Sequence, residues 1–259
     1  MGEPDAYAGE AALYDVTAAG ISTADVPFYS ALAAQAGGLL ELGCGSGRVL
    51  LPCAEAADGG PVAGVDRSPA MLELARRRVA AEGLAGRVEL VEGDLRSVRL
   101  GRRFPLVTIP FRTLFHLRTD DDWLAATATV HAHLADGGLL AGDVFVPDPE
   151  LLAAGERLGF TGEFELPGEP GSRVAVWDHW SVDLAAQIAR RRRVAERLDP
   201  DGLVTERRHH LLEVYWRWPN EVQRLLEQGG FEVIERFGNF DGEPFGAGAE
   251  DLVFVARPW

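Results

Sequence analysis

The residues best suited to chemistry stand at three points where an apolar run meets glycine or acid. The first is Glu41-Leu42-Gly43-Cys44-Gly45-Ser46-Gly47. Glycines in such a run let the backbone turn tightly and approach a ligand, with the N–H groups of a following helix exposed just beyond. A dinucleotide fingerprint needs G-x-G-x-x-G, and its third glycine would fall at position 48, which is Arg48. The second point is Asp66-Arg67, where a carboxylate can accept both hydroxyls of a ribose. The third is Gly93-Asp94-Leu95. Asp94 can accept from an adenine amino group, and the Leu95 amide can face a ring nitrogen. A glycine loop and two acids at successive strand tips place one nucleoside at the carboxyl edge of a sheet.

A fourth segment, Ile109-Pro110-Phe111-Arg112, runs on through Thr113-Leu114-Phe115-His116. His116 either takes a proton from an ammonium or an alcohol, since imidazole titrates near neutrality, or only shapes the pocket. Arg112 binds a ligand carboxylate or pairs with an internal acid; the residues favour neither. Trp216 and Trp218 share a strand face, as core or as an aromatic wall toward a substrate, and Trp177 is a further candidate of that kind. His131 and His133 read as solvated helix positions. His179, His209 and His210 have no spacing that argues for a metal. Arg190–Arg193 reads as a solvated or subunit-facing edge.

The elements that must position these residues follow from the apolar pattern. Leu39–Leu42, Val62–Val65, Val88–Val91, Leu106–Ile109 and Leu139–Val146 read as five buried strands alternating with helices. The helix after the glycine loop spans about Arg48 to Asp58. Ser68 caps the next, with Pro69 preset for its first turn and Met71, Leu72, Ala75 and Val79 on one face. Thr119 caps the Trp123 helix, which Gly137-Gly138 is expected to end. Alternation of this kind predicts helices on both faces of a parallel sheet. From about residue 160 the pattern becomes three extended segments, Arg173–Trp180, Gln187–Arg197 and Val204–Trp216, with a turn at Asp199-Pro200-Asp201-Gly202. A helix over Asn220–Gln228 and strands at Phe231–Phe237 and Leu252–Ala256 complete the chain.

The 259 residues carry 25 basic side chains, every one arginine, against 40 acidic ones, for a net charge of −15. Without lysine there is no Schiff base, no pyridoxal attachment and no P-loop. The acidic balance disfavours nucleic acid. Cys44 and Cys53 suggest neither a disulfide framework nor a metal site. The start, MGEPDAYAGEAALYD, lacks the apolar core of a signal peptide. No apolar run approaches the roughly 20 residues of a membrane span, so a cytoplasmic place is expected.

ELGCGSGR, GVDRSPAMLELAR, VEGDL and IPFRTLFHL together resemble the successive motifs of the class I S-adenosylmethionine-dependent methyltransferases. The likeness runs from about residue 38 to 146. It implies an α/β fold: a Rossmann-like, seven-stranded, mostly parallel sheet with helices on both faces, its last strand antiparallel, and an antiparallel β insertion before the last helix. It implies S-adenosylmethionine as cofactor, with Glu41, Gly43, Cys44, Gly45 and Gly47 at the methionine end. Asp66 and Arg67 then lie at the ribose, and Met71, Gly93, Asp94 and Leu95 at the adenine, with Pro110 and Phe111 beside them. Leu13-Tyr14-Asp15, Phe115-His116-Leu117 and the insertion more narrowly resemble the sugar-amine and glycine N-methyltransferases. That likeness gives Tyr14 the part of closing over the cofactor and His116 a place near the reacting amine. Arg112, Phe115, Trp177 and Trp216 are candidate substrate contacts.

The expected organisation is a helical cap over residues 1–37, a core over 38–159 and 218–259, and the insertion over 160–217 as lid or oligomerisation surface. The expected reaction is methylation of a small molecule, at an amine nitrogen. O- or C-methylation of an aromatic or sugar natural product stays open, as does a cofactor binder that transfers no methyl. A homodimer is expected from the edge strands of the insertion; neither nucleic acid, membrane nor metal is expected.

Overall fold

A computed structural model describes residues 7, 13, 14, 17, 23–166, 169 and 171–259. Asp15 and most of the expected N-terminal cap before residue 23 lie outside the described residues. Two compact units emerge, one of Thr23–Val146 with Arg217–Trp259, the other of Pro147–Trp216 with the chain before Thr23.

The first unit holds helix α1 (Asp25–Ala36), strand β1 (Leu39–Leu42), α2 (Leu50–Ala56), β2 (Val62–Asp66), α3 (Pro69–Ala81), β3 (Val88–Glu92) and β4 (Phe104–Ile109). A 3₁₀ turn at Thr113–His116, α4 (Asp120–His133) and β5 (Leu134–Phe145) follow. After the second unit the chain returns as α6 (Pro219–Gln228), β10 (Phe231–Phe237) and β11 (Asp251–Pro258). The sheet order is β10-β11-β5-β4-β1-β2-β3. β11 runs antiparallel to both neighbours, and β1 to β5 are mutually parallel. This is the Rossmann-like sheet that the motifs imply.

Packing explains the strand pattern. Every residue of β1 is buried, as a parallel strand covered on both faces requires. Tyr29 and Ala33 of α1, Leu50 and Cys53 of α2, and Leu72 and Val79 of α3 join Leu39 and Val62 in one apolar cluster. α4 packs against α6. The caps are as the sequence predicts. The Ser68 hydroxyl accepts from the Met71 amide at 3.3 Å, and Thr119 and Asp122 form a capping box.

One boundary differs. α4 stops at His133, and Gly137-Gly138 lie inside β5. Phe104 pairs with Leu134 while Leu106 pairs with Leu139. The glycines therefore form an irregularity in the strand, with Gly137 at φ +75°, instead of the helix stop.

The second unit, taken by itself, is an antiparallel sheet in the order β6-β7-β8-β9, preceded by the short helix α5 (Pro149–Ala154). The strands are β6 (Glu156–Glu165), β7 (Arg173–Asp183), β8 (Ile188–Leu198) and β9 (Val204–Tyr215). β6 is the strand the sequence conceals: it is mostly exposed and carries Gly159 and Gly162, so no apolar alternation marks it. Arg190–Arg193 lies on β8, between β7 and β9, so it is no edge. The Arg193 guanidinium is buried and donates to both carboxylate oxygens of Asp178 at 2.8 Å. A buried bidentate pair satisfies that charge, which an alternation argument from sequence misses.

Candidate active site

The parallel register sets three strand tips side by side: Leu42 pairs with Val65, and Asp66 with Glu92. The glycine loop folds over β2, with the Gly43 and Cys44 amides both donating to the Val65 carbonyl, at 2.7 and 3.0 Å. Gly43 has φ +80°, and a side chain there would meet Thr113 Cγ2 at 2.4 Å. Glycine is required at that point on both counts. Gly45, at φ +53°, has no atom within 4 Å of where a Cβ would stand. Its amide donates to one Asp66 carboxylate oxygen at 2.8 Å, and the Ser68 amide donates to the other at 2.8 Å. The acid expected at the ribose thus also ties the loop to the second strand. Arg67 is exposed beside it, whereas Met71 is 2% exposed.

Glu41 is 1% exposed, and its Oε2 has no hydrogen-bond partner among the described residues. Burial pushes its carboxyl up, while the nearby Arg48 charge opposes that shift. The Arg48 guanidinium donates to both oxygens of the buried Asp25 and lies 4.3 Å from the centre of the Phe111 ring. At the position where a dinucleotide loop carries its third glycine, an arginine therefore ties α1 and the β4 exit to the loop. Burial also pushes the Cys44 thiol up, which removes it as a nucleophile.

At the β3 tip the Asp94 carboxylate is engaged by Arg96. The Arg96 Nη2 donates to it at 2.6 Å and the Arg96 amide at 2.8 Å, while Nη1 reaches Asp122 at 2.8 Å. Burial raises the Asp94 carboxyl, but the Arg96 bonds outweigh it and hold the group below its usual range. Asp94 stands as an ionised acceptor already oriented by Arg96. Gly93 and Leu95 flank it, and the Gly93 amide donates to the Asp66 carbonyl at 3.0 Å.

Beyond β4 the chain leaves Pro110, which is buried, through two successive left-handed residues, Phe111 at φ 54° and Arg112 at φ 62°. Each costs about 1–3 kcal/mol and persists where its surroundings hold it. Asp143, on β5, does so: one carboxylate oxygen accepts from the Phe111 amide at 2.7 Å, the other from the Arg112 amide at 3.1 Å. The Tyr29 hydroxyl donates to Asp143 at 2.7 Å. The Arg112 side chain pairs with an internal acid, Asp251, at 3.3 Å. Phe115 is fully buried, edge-on to Phe145 with centroids 4.8 Å apart. It supports the turn from inside; His116, next to it, is partly exposed.

Tyr14, Trp177 and Trp216 belong to the β-insertion unit. Tyr14 meets Tyr7 edge to face at 5.7 Å, Trp177 packs on Phe160 at 5.3 Å, and Trp216 is buried. Asp25, Tyr29, Arg96 and Asp143 are the site residues that sequence reasoning passes over. An acid within the apolar run Leu139–Val146 is the one signal that could have found Asp143.

A mostly parallel sheet in this order, with a glycine loop and two acids at adjacent tips, is the class I methyltransferase fold. Residues 39–138 match the family described as methyltransferase domain. Over 218 residues the chain is 27% identical to the cypemycin N-terminal methyltransferase of a Streptomyces species, covering 84% of this chain and 81% of that one. It is 34% identical to dTDP-3-amino-3,4,6-trideoxy-alpha-D-glucopyranose N,N-dimethyltransferase of Streptomyces venezuelae over 106 residues, 41% of each chain. Among solved structures it is similar to CalS10, an amino pentose methyltransferase from Micromonospora echinaspora solved with S-adenosylmethionine bound. That match has a TM-score of 0.72, 25% identity and complete coverage of both chains. The chain is an S-adenosylmethionine-dependent methyltransferase. Its residues fit that cofactor: a buried carboxylate oxygen of Glu41 without a hydrogen-bond partner among the described residues suits a cationic ligand, and no atom stands within 4 Å of where a Cβ on Gly45 would be.

Proposed function

We propose that this methyltransferase acts on an amine nitrogen of a small natural product, a sugar amine or the free amino end of a peptide. The observation that carries the reading is that a relative aligned over most of the chain is named an N-terminal methyltransferase, and one aligned over 41% of it an N,N-dimethyltransferase of a dTDP-amino sugar. S-adenosylmethionine supplies an electrophilic methyl on a sulfonium. The chain's own residues then bind and orient. Gly43–Gly47 and Glu41 take the methionine end, Asp66 with Arg67 the ribose, and Asp94, Leu95, Gly93 and Met71 the adenine. Pro110 and Phe111 line the β4 exit, and closure of the site excludes water. Held there, the cofactor would give its methyl to an amine nitrogen, which would then shed a proton. His116 is the group we assign to receive it or to orient the amine.

Tyr14, Trp177 and Trp216 enter this reading as substrate-side residues on the sequence resemblance alone. A small-molecule acceptor, with neither nucleic acid nor membrane, fits the same proposal, as does a cytoplasmic place. Among the described residues no helix is long and apolar enough to cross a membrane. The edge strands β6 and β9 support self-association. A dimeric mass in sedimentation is the expected result, and a monomer at working concentration rejects that part.

The test of the chemistry is His116→Ala on two classes of acceptor. A neutral amine needs no base before attack, so its turnover should fall by about tenfold or less. A phenol, if accepted, should lose about 10²–10⁴-fold with the general base. Turnover of phenols but not amines by the wild type rejects the proposal.

A further inference from the structure

Asp143 has no part in the cofactor contacts assigned above, yet it is 2% exposed and accepts three donors from two distant segments: Tyr29 on α1, and Phe111 and Arg112 after β4. Both of its oxygens are used, and all three partners donate to it. The two amides belong to the successive left-handed residues that turn the chain out of β4. That turn carries Thr113, whose hydroxyl donates to the Pro110 carbonyl at 2.7 Å and whose methyl fills the space that a side chain on Gly43 would need. It also carries His116. The conformation at Phe111-Arg112 therefore decides where Thr113 meets the glycine loop and where His116 stands.

We propose that Asp143 is a positioning residue for methyl transfer: with the Tyr29 hydroxyl it clamps the Phe111 and Arg112 amides and thereby fixes the β4 exit against the glycine loop. The proposal rests on the methyltransferase reading for its consequence in turnover, but the clamp itself is open to measurement without any substrate. An ionised carboxylate is the form that serves three donors at once. A protonated one has an O–H to place, so either an amide loses its acceptor or the Tyr29 hydroxyl must turn from donor to acceptor. Burial pushes the Asp143 carboxyl up to about 6, against the bonds from Tyr29 and Phe111 and the Arg112 charge. The groups acting on it are Tyr29 and Asp25 from α1, the Phe111 amide and the Arg112 charge from the turn, and Glu41 from β1. Of these, Asp25 is held in the Arg48 pair, and Arg112 also pairs with Asp251. The clamp should therefore loosen as pH falls through about 6.

The experiment is amide hydrogen exchange resolved over residues 110–116 on the full chain, for wild type, Asp143→Asn and Tyr29→Phe, between pH 5 and 8. Asparagine keeps one acceptor but sets an amide N–H₂ against the donors. Rates are corrected for intrinsic exchange. The expected result is at least tenfold faster exchange at Phe111 and Arg112 in Asp143→Asn, a smaller rise in Tyr29→Phe, and unchanged protection in β1 and β4. The wild type should approach the Asp143→Asn rates below pH 6, and Asp143→Asn should show no such pH step. Equal protection in wild type and Asp143→Asn overturns the proposal. Uniform loss across the sheet would mean a purely structural role, and it also overturns it. In turnover with a dTDP-amino sugar, kcat should fall at least tenfold in Asp143→Asn with KM for S-adenosylmethionine within threefold, and Asp143→Glu should restore part of kcat. A rise in KM alone contradicts positioning. If the wild type turns over no amine, the functional reading fails and the exchange result still decides the clamp.

Discussion

The Asp66 carboxylate accepts the Gly45 amide at 2.8 Å, so the acid at the end of one strand holds the glycine loop that leaves its neighbour. In the proposed function the same carboxylate has a double use, as loop tie and as ribose acceptor. Hydrogen bonds to a charged group are worth about 1.5–3 kcal/mol each. Asp66→Ala should therefore weaken S-adenosylhomocysteine binding by about 10²-fold or more, read by titration calorimetry. Asp66→Asn should lose less, because its side-chain oxygen still serves the Gly45 amide. Affinity within threefold of wild type in both variants would contradict the double use.

Gly43 and Thr113 are in close approach, and a methyl on Gly43 would stand 2.4 Å from Thr113 Cγ2 at a φ of +80°. Gly43→Ala should lose most cofactor affinity while the far end of the sheet keeps its fold. Adding Thr113→Gly should recover part of the loss, because it removes the clash but leaves the unfavourable φ. Calorimetry on the two variants checks this; the absence of any recovery would place the cost in the backbone alone.

Arg96 holds two carboxylates, Asp94 and Asp122, both below their usual range. A depressed carboxyl adds stability that is present above its unfolded pKa, near 3.9, and is lost as pH falls through its folded value. Chemical denaturation of wild type and Arg96→Ala at pH 6 and pH 3 should show a stability gap at pH 6 that narrows toward pH 3. Each side chain is about one-third exposed or less, so solvent screening keeps the gap modest. The variant should also bind S-adenosylhomocysteine more weakly, because Asp94 loses its fixed orientation.

Asp143 has the opposite sign. Its carboxyl is raised to about 6 by burial, so between about pH 4 and 6 the folded chain binds more protons than the unfolded one. Stability attributable to this group is full below about pH 4, declines as pH rises to 6, and is flat beyond. That rise corresponds to roughly 3 kcal/mol. Urea unfolding at pH 4.5 and pH 7 should show wild type losing stability relative to Asp143→Asn by a substantial part of that amount. A pH-independent difference between the two would contradict the shift.

Much of the sheet is legible in the chain because its signals are local. Leu39–Leu42 ends in the glycine run, Ser68-Pro69 is a cap with its first turn, and Thr119 and Asp122 close a capping box within four residues. The candidate cofactor acids are legible for the same reason, since each stands at or near the end of its own strand. What stays hidden is what long-range pairing decides. Asp143 meets Tyr29 and Phe111 across 114 and 32 residues, and Arg48 meets Asp25 across 23. Arg193 is read as exposed until β8 is placed between its neighbours and Asp178 comes opposite it. β6 is missed because its residues face solvent and leave no apolar alternation.

The central claim is tested most directly by incubating the protein with ¹³C-methyl S-adenosylmethionine and a set of dTDP-amino sugars, amino-terminal peptides, phenols and sugar alcohols, then locating the label by NMR. Label is expected on the nitrogen of an amine acceptor, with S-adenosylhomocysteine formed in equal amount. Label on oxygen or carbon, or cofactor bound with no transfer to any amine, would contradict it.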